Sequence, residues 1–183
     1  MQQTPRPDRR RLLKYLLLAI VCGYSLLTLQ TAWANVQTYG MDLQQDYLAA
    51  RNLRAGASIY RPFAVEEMQS LGISVNSEYS MVANAHPPGA IWMFVPLSWL
   101  PFGTVAVLWT LLCAGLMVGC VVLIVRELEL PLSTLDALIL GCLLINWRPL
   151  VYHWLYGQLN IIVLACCLAG WVAARRGRDG LAG

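Results

Sequence analysis

Residues 103–125 read GTVAVLWTLLCAGLMVGCVVLIV, a run without one charged side chain. As an α-helix it extends about 34 Å, enough to cross a ~30 Å hydrocarbon core. No water reaches peptide groups inside that core, so a single crossing segment must satisfy them internally and becomes a helix. The run therefore sets the class: an all-α polytopic membrane protein. The whole chain agrees, with 58% hydrophobic and only 13% charged residues, against about 25% charged in soluble domains. The formal net charge of +3 is small. What matters is its placement: Arg9, Arg10, Arg11 and Lys14 precede one apolar run, while Arg175, Arg176 and Arg178 follow another. Basic residues abutting spans fix membrane orientation, which excludes a nucleic-acid partner as their explanation.

Upstream, residues 12–34 form a first span behind a cytoplasmic terminus of residues 1–11. Ala32-Trp33-Ala34 would suit a cleavage site, but the uncharged stretch exceeds a usual signal-peptide core and more spans follow, so we read an uncleaved anchor. Residues 35–102 are an outer loop. Within it, residues 43–55 are a helix that Asp42 can cap and Gly56 ends. Residues 64–71 are a short amphipathic helix. Residues 88–100, opened by Pro87-Pro88, are apolar but only about 18 Å long as a helix, which suits a re-entrant segment. Downstream, residues 126–131 are a cytoplasmic loop and 132–147 a third span, stopped by Arg148-Pro149. Residues 148–157 are a second outer loop, 158–174 a fourth span and 175–183 a cytoplasmic tail. If 88–100 does not cross, both basic clusters share the cytoplasm, so the reading is four spans plus an amphipathic, re-entrant outer loop.

All six cysteines lie in apolar runs with no CxxC pair, so no zinc or redox motif is offered. The polar inventory of the outer face is short: Asp42, Asp46, Arg51, Arg54, Arg61, His86, Arg148, His153, Tyr156 and Gln158. Such a set near lipid headgroups suits a substrate that is a lipid phosphate: cations hold the phosphate and an acid takes a proton from a hydroxyl. Each residue also has a plain reading. Asp42 is equally a helix cap, Asp46 a solvated first-turn acid, and Arg148 an interfacial anchor.

The order of three short motifs goes further. Asp42-Leu43-Gln44-Gln45-Asp46-Tyr47-Leu48-Ala49-Ala50-Arg51, with Gly56 and Tyr60, resembles the DFxxYYxAAxxLLxGxxxY loop of glycosyltransferase family 87. Leu43 replaces the usual Phe and Asp46 the first Tyr. Asn84-Ala85-His86-Pro87-Pro88, with Phe94-Val95-Pro96-Leu97 and Leu100-Pro101-Phe102, resembles the family's (Y/H)PPL…PL…LPF segment. Gly157-Gln158-Leu159-Asn160 resembles its GQxN element.

The resemblance implies the N-terminal portion of a GT-C fold, and transfer of a hexosyl, mannosyl-type sugar. The donor would be a polyprenyl-phosphate-linked sugar and the acceptor a hydroxyl of a glycolipid or glycan, at the outer face of a bacterial plasma membrane. It also implies Asp42 as the catalytic base, not Asp46. Tyr47, Arg51, Arg54, Tyr60, His86, Arg148 and Gln158 would contact substrate. No cofactor and no metal motif is expected, and the lack of a phosphate-binding glycine loop suits a lipid-linked donor. Superfamily members are longer, so the chain reads as a truncation. The competing reading is a non-catalytic membrane scaffold or subunit whose outer loop binds a partner.

Overall fold

The computed structural model describes residues 9–39, 41–73, 84–178 and 180; the unpatterned run 74–83 and the segments 1–8 and 181–183 lie outside the described residues. Those residues form helices and no strand. In chain order these are α1 (Arg9–Tyr39), α2 (Met41–Arg54), α3 (Val65–Ser70), α4 (Pro88–Phe94), a 3₁₀ turn (Pro96–Trp99), α5 (Phe102–Glu127), α6 (Thr134–Ile145), α7 (Arg148–Tyr156) and α8 (Asn160–Arg175).

Two helices are long and apolar enough to cross a membrane, Arg9–Asn35 within α1 and Phe102–Glu127. A third crossing exists if α6 and α7, bent by 62°, count as one. The last apolar helix, α8, has 16 residues, about 24 Å. Leucines 12, 13, 16, 26 and 27 of α1 and Leu108, Leu111 and Val118 of α5 are exposed. A soluble monomer does not display apolar surface on this scale; here it is the face that meets lipid. The chain is an integral membrane protein.

The bend between α6 and α7 follows from the sequence. Asn146 and Trp147 interrupt the apolar run, and Pro149 sits in the first turn of α7, where its missing N–H leaves no bond unmade. The stretch 148–157, read from the sequence as a loop, thus carries a nine-residue helix. At the other end of α6, Ser133 caps the helix by accepting from the Asp136 amide, and Asp136 pairs with Lys14 of α1 at 2.6 Å.

Helix α1 lies along α6 and α7, and α5 lies along α8. Between α1 and α6 runs a polar seam. Thr28 Oγ1 donates to Asn146 Oδ1 (2.6 Å), Asn146 Nδ2 donates to Ser25 Oγ (2.8 Å), Ser25 Oγ donates to the Cys142 carbonyl (3.1 Å), and the Cys22 and Cys142 sulfurs are 3.4 Å apart. Arg175 donates to the Glu127 carbonyl at 2.9 Å and Arg176 pairs with the Glu127 carboxylate. The start of α1, the end of α5, the start of α6 and the end of α8 therefore gather at one end of the bundle. At the opposite end, Leu43 and Tyr47 of α2, Ile91 and Phe94 of α4, Phe102 and Trp109 of α5, and Leu150 and Trp154 of α7 share one buried core.

Candidate active site

Helix α2 forms for local reasons and is then sunk into the protein. Asp42 in its first turn and Arg51 and Arg54 in its last complement the helix dipole. Gly56 follows in the left-handed conformation (φ +73°) that such an ending requires. Leu43, Gln45, Asp46, Tyr47, Leu48, Ala49, Ala50 and Asn52 are all buried, so almost the whole circumference is covered. The expectation that Asp42 caps this helix is corrected: the helix begins at Met41, and Asp42 stands within its first turn, half-buried.

Residues four apart share a helix face, so Asp46 stands beside Asp42. Asp46 was expected to be solvated, and here the structure differs most from the sequence reading. Its side chain is 0% exposed, and its Oδ1 lies 2.7 Å from His86 Nδ1. Burial pushes the Asp46 carboxyl up to about 6; the His86 bond and charge work against this, and the Asp42 charge adds to it. Its Oδ2 has no hydrogen-bond partner among the described residues. His86 rides on a strap clamped to α2. Gln45 Oε1 accepts from the Ala85 amide (3.4 Å), and Asn84 both accepts from the His86 amide (3.0 Å) and donates to the His86 carbonyl (3.2 Å). Pro87 is extended and Pro88 opens α4.

The GQxN element meets α2 from the other side. Gly157 ends α7 with φ +69°, and a Cβ there would stand 2.6 Å from the Leu43 Cβ. Its carbonyl accepts from the Trp109 indole of α5 at 3.1 Å. The backbone of this turn is therefore held against the residue next to Asp42, for which only glycine is small enough. Beside it is an open cavity of about 480 Å³ lined by Arg148, Pro149, Tyr152, Tyr156, Gln158 and Asn160. The Tyr152 and Tyr156 rings lie parallel, 5.8 Å apart. Arg148 donates to the Tyr152 hydroxyl (3.1 Å), and Asn160 donates to Gln158 Oε1 (2.7 Å). Stacked phenols with a guanidinium and two amides make a surface with π faces and hydrogen-bonding edges, as a sugar and an anion require.

Other expected contacts lie elsewhere. Arg51 is nine residues beyond Asp42, hence on the opposite side of α2 and about 13 Å along its axis; Arg54 is about 18 Å along. Both donate to the Ser98 carbonyl, at 3.5 and 2.8 Å, and Arg54 also lies over the Trp99 ring. Tyr47 is buried, donates to the Leu100 carbonyl at 2.9 Å and packs its ring on Phe102. These three side chains fasten residues 96–102 to α2. Tyr60 is half-exposed in the turn after α2, and Arg61 pairs with Glu67 and donates to Asn52. The structure thus bonds His86 to Asp46, one helical turn beyond Asp42, and sets Gly157, the residue before Gln158, against Leu43, the residue after Asp42. His153 is buried against Trp154. Among the described residues, no three His, Cys, Asp or Glu gather where they could hold a metal ion.

No curated protein and no solved structure matches the chain. A family model does match, over residues 84–183. That match takes in the His86 strap, the Phe102–Glu127 helix and the Gly157 turn, and it covers more than half of the sequence. On this ground the chain belongs to glycosyltransferase family 87.

Proposed function

We propose that this membrane glycosyltransferase moves a hexosyl, mannosyl-type sugar from a polyprenyl-phosphate donor to a hydroxyl of a glycolipid or glycan, with Asp42 as the base. The contact between Gly157 and Leu43 carries the reading. It joins a motif inside the matched residues to the acid-bearing helix that precedes them. Asp42 is half-buried and has no hydrogen bond or ion pair among the described residues, so its carboxylate is available to an acceptor.

In the proposed step the acceptor oxygen gives its proton to Asp42 and forms a bond to the anomeric carbon. The bond from that carbon to the phosphate oxygen breaks, and its electron pair leaves with the lipid phosphate. Such a transition state is oxocarbenium-like and inverts the anomeric centre. The parallel tyrosines and Gln158 hold the sugar, and cations steady the departing phosphate. The reading takes four crossings, α8 included, with the basic ends of α1 and α8 in the cytoplasm; α2 and the cavity would then face outward from a bacterial plasma membrane.

The test uses membranes containing the protein and a polyprenyl phosphate carrying a radiolabelled sugar. Asp42→Asn should abolish transfer while leaving the amount of folded protein unchanged. Full transfer by that variant would remove Asp42 from the base role. In parallel, a membrane-impermeant thiol reagent should label Ser58→Cys in intact cells; labelling only after lysis would put the acid on the wrong side.

A further inference from the structure

A departing phosphate needs a donor close to Asp42, and the loop arginines do not supply one. Arg51 projects from the opposite side of α2 and Arg54 stands about 18 Å along it. Both are directed at Ser98, and Arg61 is paired with Glu67. On the Asp42 side of α2 the cationic candidate is His86. Its side chain is 27% exposed, while the carboxylate bonded to it is wholly buried. The buried group therefore cannot touch a substrate except through the imidazole.

We propose that Asp46 is a positioning residue for His86, and that the Nε2–H of His86 donates to the phosphate of the lipid-linked sugar. The inference rests on the lipid-phosphate donor proposed above. Three observations carry it. The 2.7 Å bond to Asp46 occupies Nδ1 and fixes the ring's orientation. Nε2 is then the other edge, with no hydrogen bond among the described residues. Finally, the strap is clamped on both sides of the ring, by Gln45 at Ala85 and by Asn84 at His86. A surface histidine without a role has no need of such fixing.

The experiment measures protection rather than catalysis. The chain has two histidines, and His153 is buried, so diethyl pyrocarbonate should modify His86, as read by mass spectrometry. The protein in detergent is treated alone, with polyprenyl phosphate lacking sugar, with phosphatidylglycerol, and with inorganic phosphate. Polyprenyl phosphate should slow modification about tenfold, and the other two should not. Asp46→Asn should keep the fold but lose most of that protection, and Asp46→Glu should regain part of it. In transfer assays, His86→Gln should reduce kcat/KM for the donor about tenfold or more, with the acceptor KM unchanged. Equal protection by all three phosphates, or none by polyprenyl phosphate, overturns the proposal; so does full protection in Asp46→Asn. If polyprenyl phosphate protects His86 but no sugar is transferred, the transferase reading fails and the phosphate site stands. If sugar is transferred and His86→Gln behaves as the wild type, the phosphate site fails and the transferase stands.

Discussion

Replacing Gly157 with alanine should damage the protein more than a surface-turn substitution, and the structure says by how much. Two terms add. An L-residue held in the left-handed conformation costs about 1–2 kcal/mol. The new methyl would also stand 2.6 Å from the Leu43 Cβ, whereas carbons rest at about 3.5–4.0 Å. Helices α2 and α7 must separate by about 1 Å, and overpacking of that kind costs about 1–3 kcal/mol. Gly56 is the matched control: its φ is +73° and a Cβ there meets nothing within 4 Å, so Gly56→Ala carries the first term alone. For a chain of this size each kcal/mol is worth about 2–4 °C. In detergent, followed by tryptophan fluorescence, Gly157→Ala should unfold several degrees below Gly56→Ala. Adding Leu43→Ala should not help, because the colliding atom is the Cβ that alanine keeps. Coincident melting of the two glycine variants, within about 1 °C, would refute the close approach. Sugar transfer should fall with Gly157→Ala and hold with Gly56→Ala, since only the former displaces the turn that carries Asp42.

Asp46→Asn should flatten the dependence of stability on pH. The folded carboxyl is raised to about 6 from its ordinary 3.8, so its favourable contribution is complete below about 3.8 and is lost as pH rises through 6. The loss is on the order of 3 kcal/mol, and the variant should melt above the wild type at pH 7.5 but not at pH 4. Tyr47→Phe removes the bond to the Leu100 carbonyl and should lower stability by about 1 kcal/mol, seen as a lower melting temperature with no change in oligomeric state. Asn146→Leu breaks its bonds to Ser25 and Thr28 and should cost about 1–2 kcal/mol, read by the same melts; an unchanged melting temperature would mean the seam contributes nothing.

Hydrophobic runs made the helical class and the long α5 legible, because a lipid solvent writes itself into a sequence as missing charge. The end of the loop helix was legible from Gly56, which takes the left-handed conformation there; its start was not, since Asp42 stands inside the first turn and does not cap it. The state of Asp46 was not. On spacing alone it is one more first-turn acid; its burial depends on the strap at residues 84–86, about forty positions away, and on neighbours covering almost all of α2. The contacts of Arg51 and Arg54 are illegible for a similar reason: their charge is visible in the sequence, but the Ser98 carbonyl that both donate to is presented by a 3₁₀ turn closed by Leu100-Pro101. Gly157 was noticed as part of a motif, yet the need for glycine came from Leu43, on an element that periodicity cannot pair with it.

The hydroxyl, amide and thiol rungs joining α1 to α6 also change what the first helix is. A segment that merely tethers a protein to the bilayer can be exchanged for any greasy sequence of similar length. This one has a fixed rotational setting, because Ser25 and Thr28 must meet Asn146 at the same time. Swapping it for polyleucine would leave the protein inserted but undocked, with α6 and α7 missing the partner they lie along. The anchor is thus a keyed part of the scaffold, and the turn at Gly157 sits downstream of its fit.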